Sequence, residues 1–485
     1  MTGVTEHNLA LAMFEGLATH HPATLEPVPG VAEWWDISDD GAVYTFHLRK
    51  DAKWSNGEPV TAEDFRWSWM RVLEPKTAAQ YAYMLYPVKG AEAFNKGTGR
   101  AEDVAVQVKD PQTLVVTLGA PCAYFLELCA FETLMPVHRA TVEKHGTAWT
   151  QAGNVVSNGP FALDVWKPRD RIEMVPNPHW WNRRIVRLER MVIRAIDEQN
   201  TSLNEYLSGG IDWIRSILSR RVEEAQAHPD YYVSPHLGTY FFRFNVTQKP
   251  FDDVRVRKAF NLAVDKKDIC ERVLKAGQIP ATGLVPPGIH GYPDFQGLAY
   301  DAKKARELLA EAGYPDGKGF PEVKLLYNTS ESHKQVCESL VDMWKKNLGV
   351  TVQLANCEWK VYLDEVDNKR YQIARAGWIG DYADPNTFLD MWVKDGGNNN
   401  TGWSNPRYDD LIRKAAVEQD PAKRFALFQE CERMVAVEEM PVLPLYYYVN
   451  QGMLRPRVKG WHENIRDLHP FQFMYLDGPP ATGGK

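Results

Sequence analysis

The chain reads as an α/β protein of more than one domain, and three observations predict this. It has 485 residues, and single cores stop growing near roughly 250–300 residues, so roughly two to four domains are expected. Between 301 and 378, patterns of helical and strand period alternate, the mark of an α/β lobe with a partly parallel sheet. Apolar content of 44% and charged content of 25% are ordinary for a globular chain, and no repeat or low-complexity linker interrupts the pattern.

The elements follow in order. "VYTFHLRKDAKW", from Val43, alternates and predicts a strand that closes in the turn "SNGEP". In "TAEDFRWSWMRVL", Thr61 and Asp64 have the spacing of a capping box and predict a helix start. "VVSNGPFALDVWKPRDRIEMVPNPHWW" predicts two short strands around a basic turn, and "TYFFRFNV" (239–246) an aromatic strand. "DVRVRKAFNLAVDKKDICERVLKAG" predicts one helix ending at Gly277, followed by a Gly- and Pro-rich loop over 278–300. A helix from Asp301 to Gly313 and the strand "KLLYNTS" come next. Ser330 is the predicted cap of "ESHKQVCESLVDMWKKNLG", with Val336, Leu340, Met343 and Trp344 on its apolar face. The strands "VTVQLANCEW" and "YQIARAGW", helices over 406–418 and 421–437, the strand "VLPLYYYVN" and a tail, "PPATGGK", complete the chain.

Several function classes are excluded. Net charge is −7 with acids and bases interspersed, so there is no basic face for nucleic acid. No run of about 18 apolar residues exists to span a membrane. The first residues, "MTGVTEHNLALAMFEGL", lack the basic region of a signal peptide. Six cysteines show neither CxxC nor zinc spacing and read as free, buried small hydrophobes. No metal or other cofactor is expected. GxSxG, HExxH, a Walker lysine motif and a strand–helix GxGxxG are missing, and "GYPDGKGF" reads as a helix cap and turn. Sixteen Trp and 21 Tyr suit both cores and sites for amphipathic ligands. One cluster stands out: "RAGWIGDYADPNTFLDMW" sets Arg375, Trp378 and Asp381 at the end of a predicted strand. Alone it fits a catalytic acid site, a metal site or a recognition site for a positive charge. Asp384, before Pro385, reads as a helix N-cap.

Together, "FHLRKDAKWSNGEPVTAEDF", "PFDDVRVRKAFNLAVDKKDI", "LLYNTSESHKQV", "WKKNLGVTV" and "ARAGWIGDYADPNTFLDMW" resemble the peptide-binding members of the family 5 solute-binding proteins that serve ATP-binding-cassette importers. The resemblance runs from about Gly3 to about Tyr475. It implies a two-lobed, periplasmic-binding-protein-like fold with an extra third domain. One lobe would comprise 1–16, 141–237 and 450–485, the extra domain 17–140, and the other lobe 238–449. Strands crossing near 237–239 and 449–451 would let the lobes close by hinge bending. The implied activity is that of a non-catalytic, monomeric receptor that captures oligopeptides and delivers them to a membrane permease. Dipeptides, a metal chelate or an oligosaccharide are alternative ligands; a peptide or sugar hydrolase, or a chaperone-like or signalling binder, are alternatives of other classes.

The resemblance also implies roles for residues. Asp381 would bind the peptide α-ammonium, and the backbone from Arg375 through Gly377 to Ile379 would pair with the peptide main chain. Trp359 and Trp378 would line side-chain pockets, and Tyr81 and Tyr448 would touch the ligand. Arg375 and His333 would meet a carboxylate, and Val4 would lie on a strand beside the peptide. There are departures: Gly238 and Ile379 replace a family cysteine pair, Thr2 replaces an acid, and Phe241 and Arg243 replace a tyrosine and a glutamate. The last change is expected to favour acidic ligand groups. The location implied is periplasmic or extracytoplasmic and membrane-anchored, with an export signal expected upstream of Met1.

Overall fold

The computed structural model describes residues 4–196, 198–215, 217, 221–394 and 396–478. Thr2 and the tail at 479–485 lie outside the described residues. The chain divides into two units. One comprises Met1–Leu218, Ala225–Tyr232 and Gly452–Lys485, and the other Ser219–Glu224 and Val233–Gln451.

Among the described residues the first unit contains two antiparallel sheets of more than two strands. In one, the order is Ala32–Ile37, Val43–Leu48, Thr113–Thr117, Val106–Asp110. Tyr44, Phe46 and Leu48 are buried in alternation, as the pattern of Val43–Leu48 predicts. The helix Ala62–Leu73 packs on this sheet. Its capping box is present: the Asp64 carboxylate accepts the Thr61 N–H at 2.7 Å. The second sheet is Phe161–Lys167, Arg171–Pro176 and Met191–Arg194, cored by Phe161, Met174 and Trp180 with Ala12 from the first helix. That helix, Val4–Met13, corrects one expectation: Val4 opens a helix and does not lie on a strand. The Leu, Ala and Met residues that fill its second half are strong helix formers.

The second unit is built on a mixed sheet. Val442–Leu454, Tyr231–Phe244, Ile373–Ile379, Val323–Asn328 and Val352–Cys357 lie side by side in that order. Val323–Asn328 is parallel to both Val352–Cys357 and Ile373–Ile379, and Tyr231–Phe244 is antiparallel to Ile373–Ile379. Helices cover both faces, so the strands carry near-continuous apolar runs. On one face, Tyr240, Phe242 and Phe244 pack with Val256, Phe260, Leu309, Val336, Leu340 and Trp344. On the other, Tyr362 and Val366 of the helix Trp359–Asp367 pack with Leu326, Tyr371 and Ala374.

Two helix expectations need correction. The run from 254 is two pieces, Val254–Leu262 and a second turn beginning at Lys266. Asp265 breaks it by capping the second piece, accepting the Asp268 N–H at 3.1 Å. The second piece stops at Lys275, which adopts a left-handed φ of 59°, two residues before Gly277. Ser330 occupies the cap position of Glu331–Leu348, but its hydroxyl bonds that of Ser332 at 3.0 Å instead of the helix backbone. All six cysteines are free.

Candidate functional site

The strand order fixes where a site can form. From Val323–Asn328 the chain crosses to Val352–Cys357 on one side, then returns past it to Ile373–Ile379 on the other. Such a reversal opens a crevice at the carboxyl ends of parallel strands. His333 starts the helix after the first strand, Trp359 the helix after the second, and Asp381 follows the third.

The backbone there is half paired. Tyr231–Phe244 pairs with Ile373–Ile379 along its whole length, whereas Val323–Asn328 reaches only Ile373 and Ala374. The Gly380 N–H donates to the Leu237 carbonyl at 2.8 Å. By the antiparallel alternation, 376 and 378 also face that neighbour, and Gly377 and Ile379 turn their N–H and C=O to the uncovered edge. The Tyr362 hydroxyl donates to the Arg375 carbonyl on the same edge. A side chain at 377 has no room, since a Cβ would lie 2.5 Å from the Tyr448 hydroxyl. Gly238 lies opposite Ile379, whose side-chain tip covers it.

At the strand end the Asp381 N–H donates to the Thr387 Oγ1 at 3.3 Å, and the Trp378 indole N–H reaches the same oxygen at 3.3 Å. Two more acids stand nearby. Asp384 accepts the Asn386 N–H at 2.9 Å, the capping role expected of it. It also forms a buried two-point pair with Arg424 at 2.6 and 2.8 Å. Asp390 accepts from the Asn386 amide at 2.9 Å. Burial pushes its carboxyl up to about 7, with further push from the charges of Asp381 and Asp384. The charge of Asp384 is thus matched by Arg424 and that of Asp390 about half suppressed at neutral pH. Asp381, partly buried, follows directly on the strand terminus.

A cationic cluster lies on the face of Tyr240. The Arg375 guanidinium sits 4.5 Å from the centre of the Tyr240 ring. It donates to the Tyr448 hydroxyl at 3.1 Å and the Asn328 Oδ1 at 3.5 Å, and it forms no ion pair among the described residues. His333 Nδ1 lies 3.2 Å from the Tyr240 hydroxyl. Burial, and then the Arg375 charge, lower its pKa to about 4, so at neutral pH His333 is an uncharged hydrogen-bonding group. Arg375 alone supplies this cluster's positive charge. Trp359, 49% exposed, stacks on Tyr362 with centroids 5.5 Å apart, and Ile379 is exposed at the same sheet end.

The structure therefore brings together Asp381, Arg375, Gly377, Trp378, Ile379, Trp359, His333 and Tyr448. Phe241 is a correction. It is fully buried, edge-on to Trp392 at 5.6 Å, because the strand alternation turns it toward the segment 386–392. Arg243 shares that face, 9% exposed, with its guanidinium carbon 5.7 Å from the Phe241 ring centre. Tyr81 and Val4 belong to the other unit, where Tyr81 lies against Tyr83 and Phe131. Tyr240, Asn328, Tyr362 and Thr387 escaped the sequence reading; the first two are placed by the sheet, and Tyr362 and Thr387, both on helices, only by their hydrogen bonds to the Arg375 carbonyl and to Trp378 and Asp381. Among the described residues no group of His, Cys, Asp or Glu could hold a metal, and no helix is long and apolar enough to cross a membrane.

Comparison with known proteins gives a consistent picture. Residues 26–400 match the family model described as bacterial extracellular solute-binding proteins, family 5 Middle. The chain is 40% identical over 460 residues to the oligopeptide-binding protein OppA of Bacillus subtilis (strain 168), covering 92% of this chain and 84% of that one. Among solved structures it is similar to the unliganded open form of MppA, a periplasmic murein tripeptide binding protein. The TM-score is 0.87 and the identity 34%, over 98% of this chain and 93% of that one. It is also similar to the substrate-binding domain of an oligopeptide ABC transporter from Bacillus anthracis str. Ames. There the TM-score is 0.77 and the identity 34%, over 98% and 95% of the two chains.

Proposed function

The chain belongs to family 5 of the bacterial extracellular solute-binding proteins, and on that premise we propose that it captures oligopeptides outside the cytoplasm and delivers them to an ATP-binding-cassette permease. The observation that carries this reading is the uncovered strand edge at Gly377 and Ile379, with Asp381 at its end. An extended peptide adds to such an edge through its main chain, which gives affinity blind to side chains. Its α-ammonium pairs with Asp381; a charge taken out of water needs such a partner. A carboxylate of a short peptide meets Arg375, with the Tyr448 hydroxyl and neutral His333 as further partners. Trp359 and Ile379 give apolar surface to ligand side chains, and water fills what a small side chain leaves. The receptor acts as a monomer without cofactor or nucleic acid. Within the first unit, 17–140 is the additional domain, and the protein works as a receptor and not as a hydrolase.

Calorimetry with a free and an N-acetylated tripeptide tests the reading. The acetylated peptide should bind roughly 10²–10³-fold more weakly, and Asp381→Asn should lose a similar factor for the free peptide. Equal affinity for the two peptides would remove Asp381 from the ammonium site.

A further inference from the structure

We propose that the hairpin tip between Phe161–Lys167 and Arg171–Pro176 is a docking surface for an anionic lipid bilayer, and that it holds the protein against the membrane independently of the peptide. That a membrane is where the protein works rests on the receptor reading; the surface itself does not.

The acids and bases of the chain are interspersed, but one stretch departs from that balance. Residues 161–194 contain eight Lys and Arg against four Asp and Glu, a net +4, and the rest of the chain carries −11. The sheet gathers this charge at one end. Lys167 pairs with Arg171, and Arg171 with Arg194. Three cations thus share one cross-strand row and one face, the outer two roughly 10 Å apart. Like charges directly opposite one another weaken a sheet, so this row does nothing for the fold.

The turn adds a fourth cation at some cost. The Asp170 N–H donates to the Lys167 carbonyl at 3.1 Å, with Pro168 at the first corner and Arg169 at the second, where its φ is 62°. This is a type II turn, whose second corner favours glycine or asparagine. An arginine there is strained, and such a strained residue points to a use outside the fold. The nearby acids do not cancel the charge. Asp170 and Glu173 are held by Arg171 at 2.5 and 2.6 Å, and Asp164 by Arg190 at 2.7 Å, which also reaches Glu173. Lys167, Arg169 and Arg194 are exposed and form no ion pair among the described residues.

Beside the cations stands an aromatic. Trp166, 45% exposed, is opposite Ile172 on the other face of the hairpin, so contact made tip-first engages both the indole and the cations. An acidic protein would match the cations alone. A bilayer matches both, since tryptophan settles at the level of the headgroups and each Lys or Arg is drawn to their phosphates. The negative remainder of the chain is repelled by such a surface, which leaves binding to this hairpin.

The test is sedimentation of the full chain with vesicles of phosphatidylcholine alone and of phosphatidylcholine mixed with phosphatidylglycerol, at low and high salt. The mixed vesicles should bind at least about tenfold more tightly at low salt and lose that advantage at high salt. Replacing all three free cations, Lys167→Gln with Arg169→Gln and Arg194→Gln, should bring the ratio within about threefold. Peptide affinity should not change. Arg169→Gly separates a binding role from a structural one: it suits the turn, so the variant should unfold at no lower urea concentration and yet bind the mixed vesicles about threefold or more weakly. Equal binding to the two kinds of vesicle overturns the proposal, as does a preference undiminished in the triple variant. Binding to soluble polyglutamate without any vesicle preference would assign the tip to an acidic protein and overturns the bilayer. A vesicle preference in a protein that binds no peptide leaves this surface standing and removes the receptor reading instead.

Discussion

Asp381, Asp384 and Asp390 lie within one short segment, yet their surroundings give them different electrostatic roles. Asp384 is matched by Arg424, Asp390 is held near half-protonation at neutral pH, and Asp381 stands at the strand end. The shift at Asp390 has a definite sign. Its folded pKa of about 7 lies above the ordinary carboxylate value, so the folded state holds more protons than the unfolded chain between about pH 4 and 7. Its stabilising proton is fully present below that window and lost as pH rises through it. Asp390→Asn stays neutral throughout. The variant should gain stability over wild type as pH rises, the gain at pH 8 exceeding that at pH 5 by on the order of 1–3 kcal/mol. Urea denaturation at the two pH values measures this, and a gain independent of pH would show that Asp390 keeps an ordinary pKa. Such a titration was not legible in the sequence, where Asp390 is one acid among 63 Asp and Glu; only burial beside two other acids distinguishes it.

At the scale of elements, local pattern was sufficient where local chemistry decides. The alternation of "VYTFHL" and the Thr61–Asp64 spacing both correspond to what forms. It was insufficient where a contact far along the chain decides. Phe241 looks like any aromatic on a strand, and it faces the core only because Trp392 covers it. Asp384 was legible as a cap, but its partner Arg424 is 40 residues away. That ion pair ties the segment after Ile373–Ile379 to the helix Pro421–Arg433, and the segment contains Thr387, which holds the Asp381 backbone. Arg424→Met should therefore destabilise the protein by about 3–5 kcal/mol, by leaving a buried carboxylate unpaired. The double change with Asp384→Asn should cost less than the two single changes added together. Denaturant midpoints of the four proteins check both statements, and strict additivity would mean that the pair does not act as a unit.

For the whole molecule, the two units are joined by continuous chain, including the long strands Tyr231–Phe244 and Val442–Leu454, whose residues are shared between them. If these strands bend as hinges when a peptide is captured, saturating peptide should lower the radius of gyration in small-angle scattering. Identical curves with and without peptide, on protein shown by mass spectrometry to be ligand-free, would rule the closure out. The uncovered strand edge has one more consequence. Unpaired strand edges invite other chains to add on, and assembly of that kind needs a run of about six or seven residues. Here the run is too short. Tyr362 occupies the Arg375 carbonyl, the strand stops at Ile379, and a cation and an anion, Arg375 and Asp381, bracket what remains. The edge accepts a short guest through a few main-chain bonds yet gives a second copy of the protein no purchase to grow a fibril.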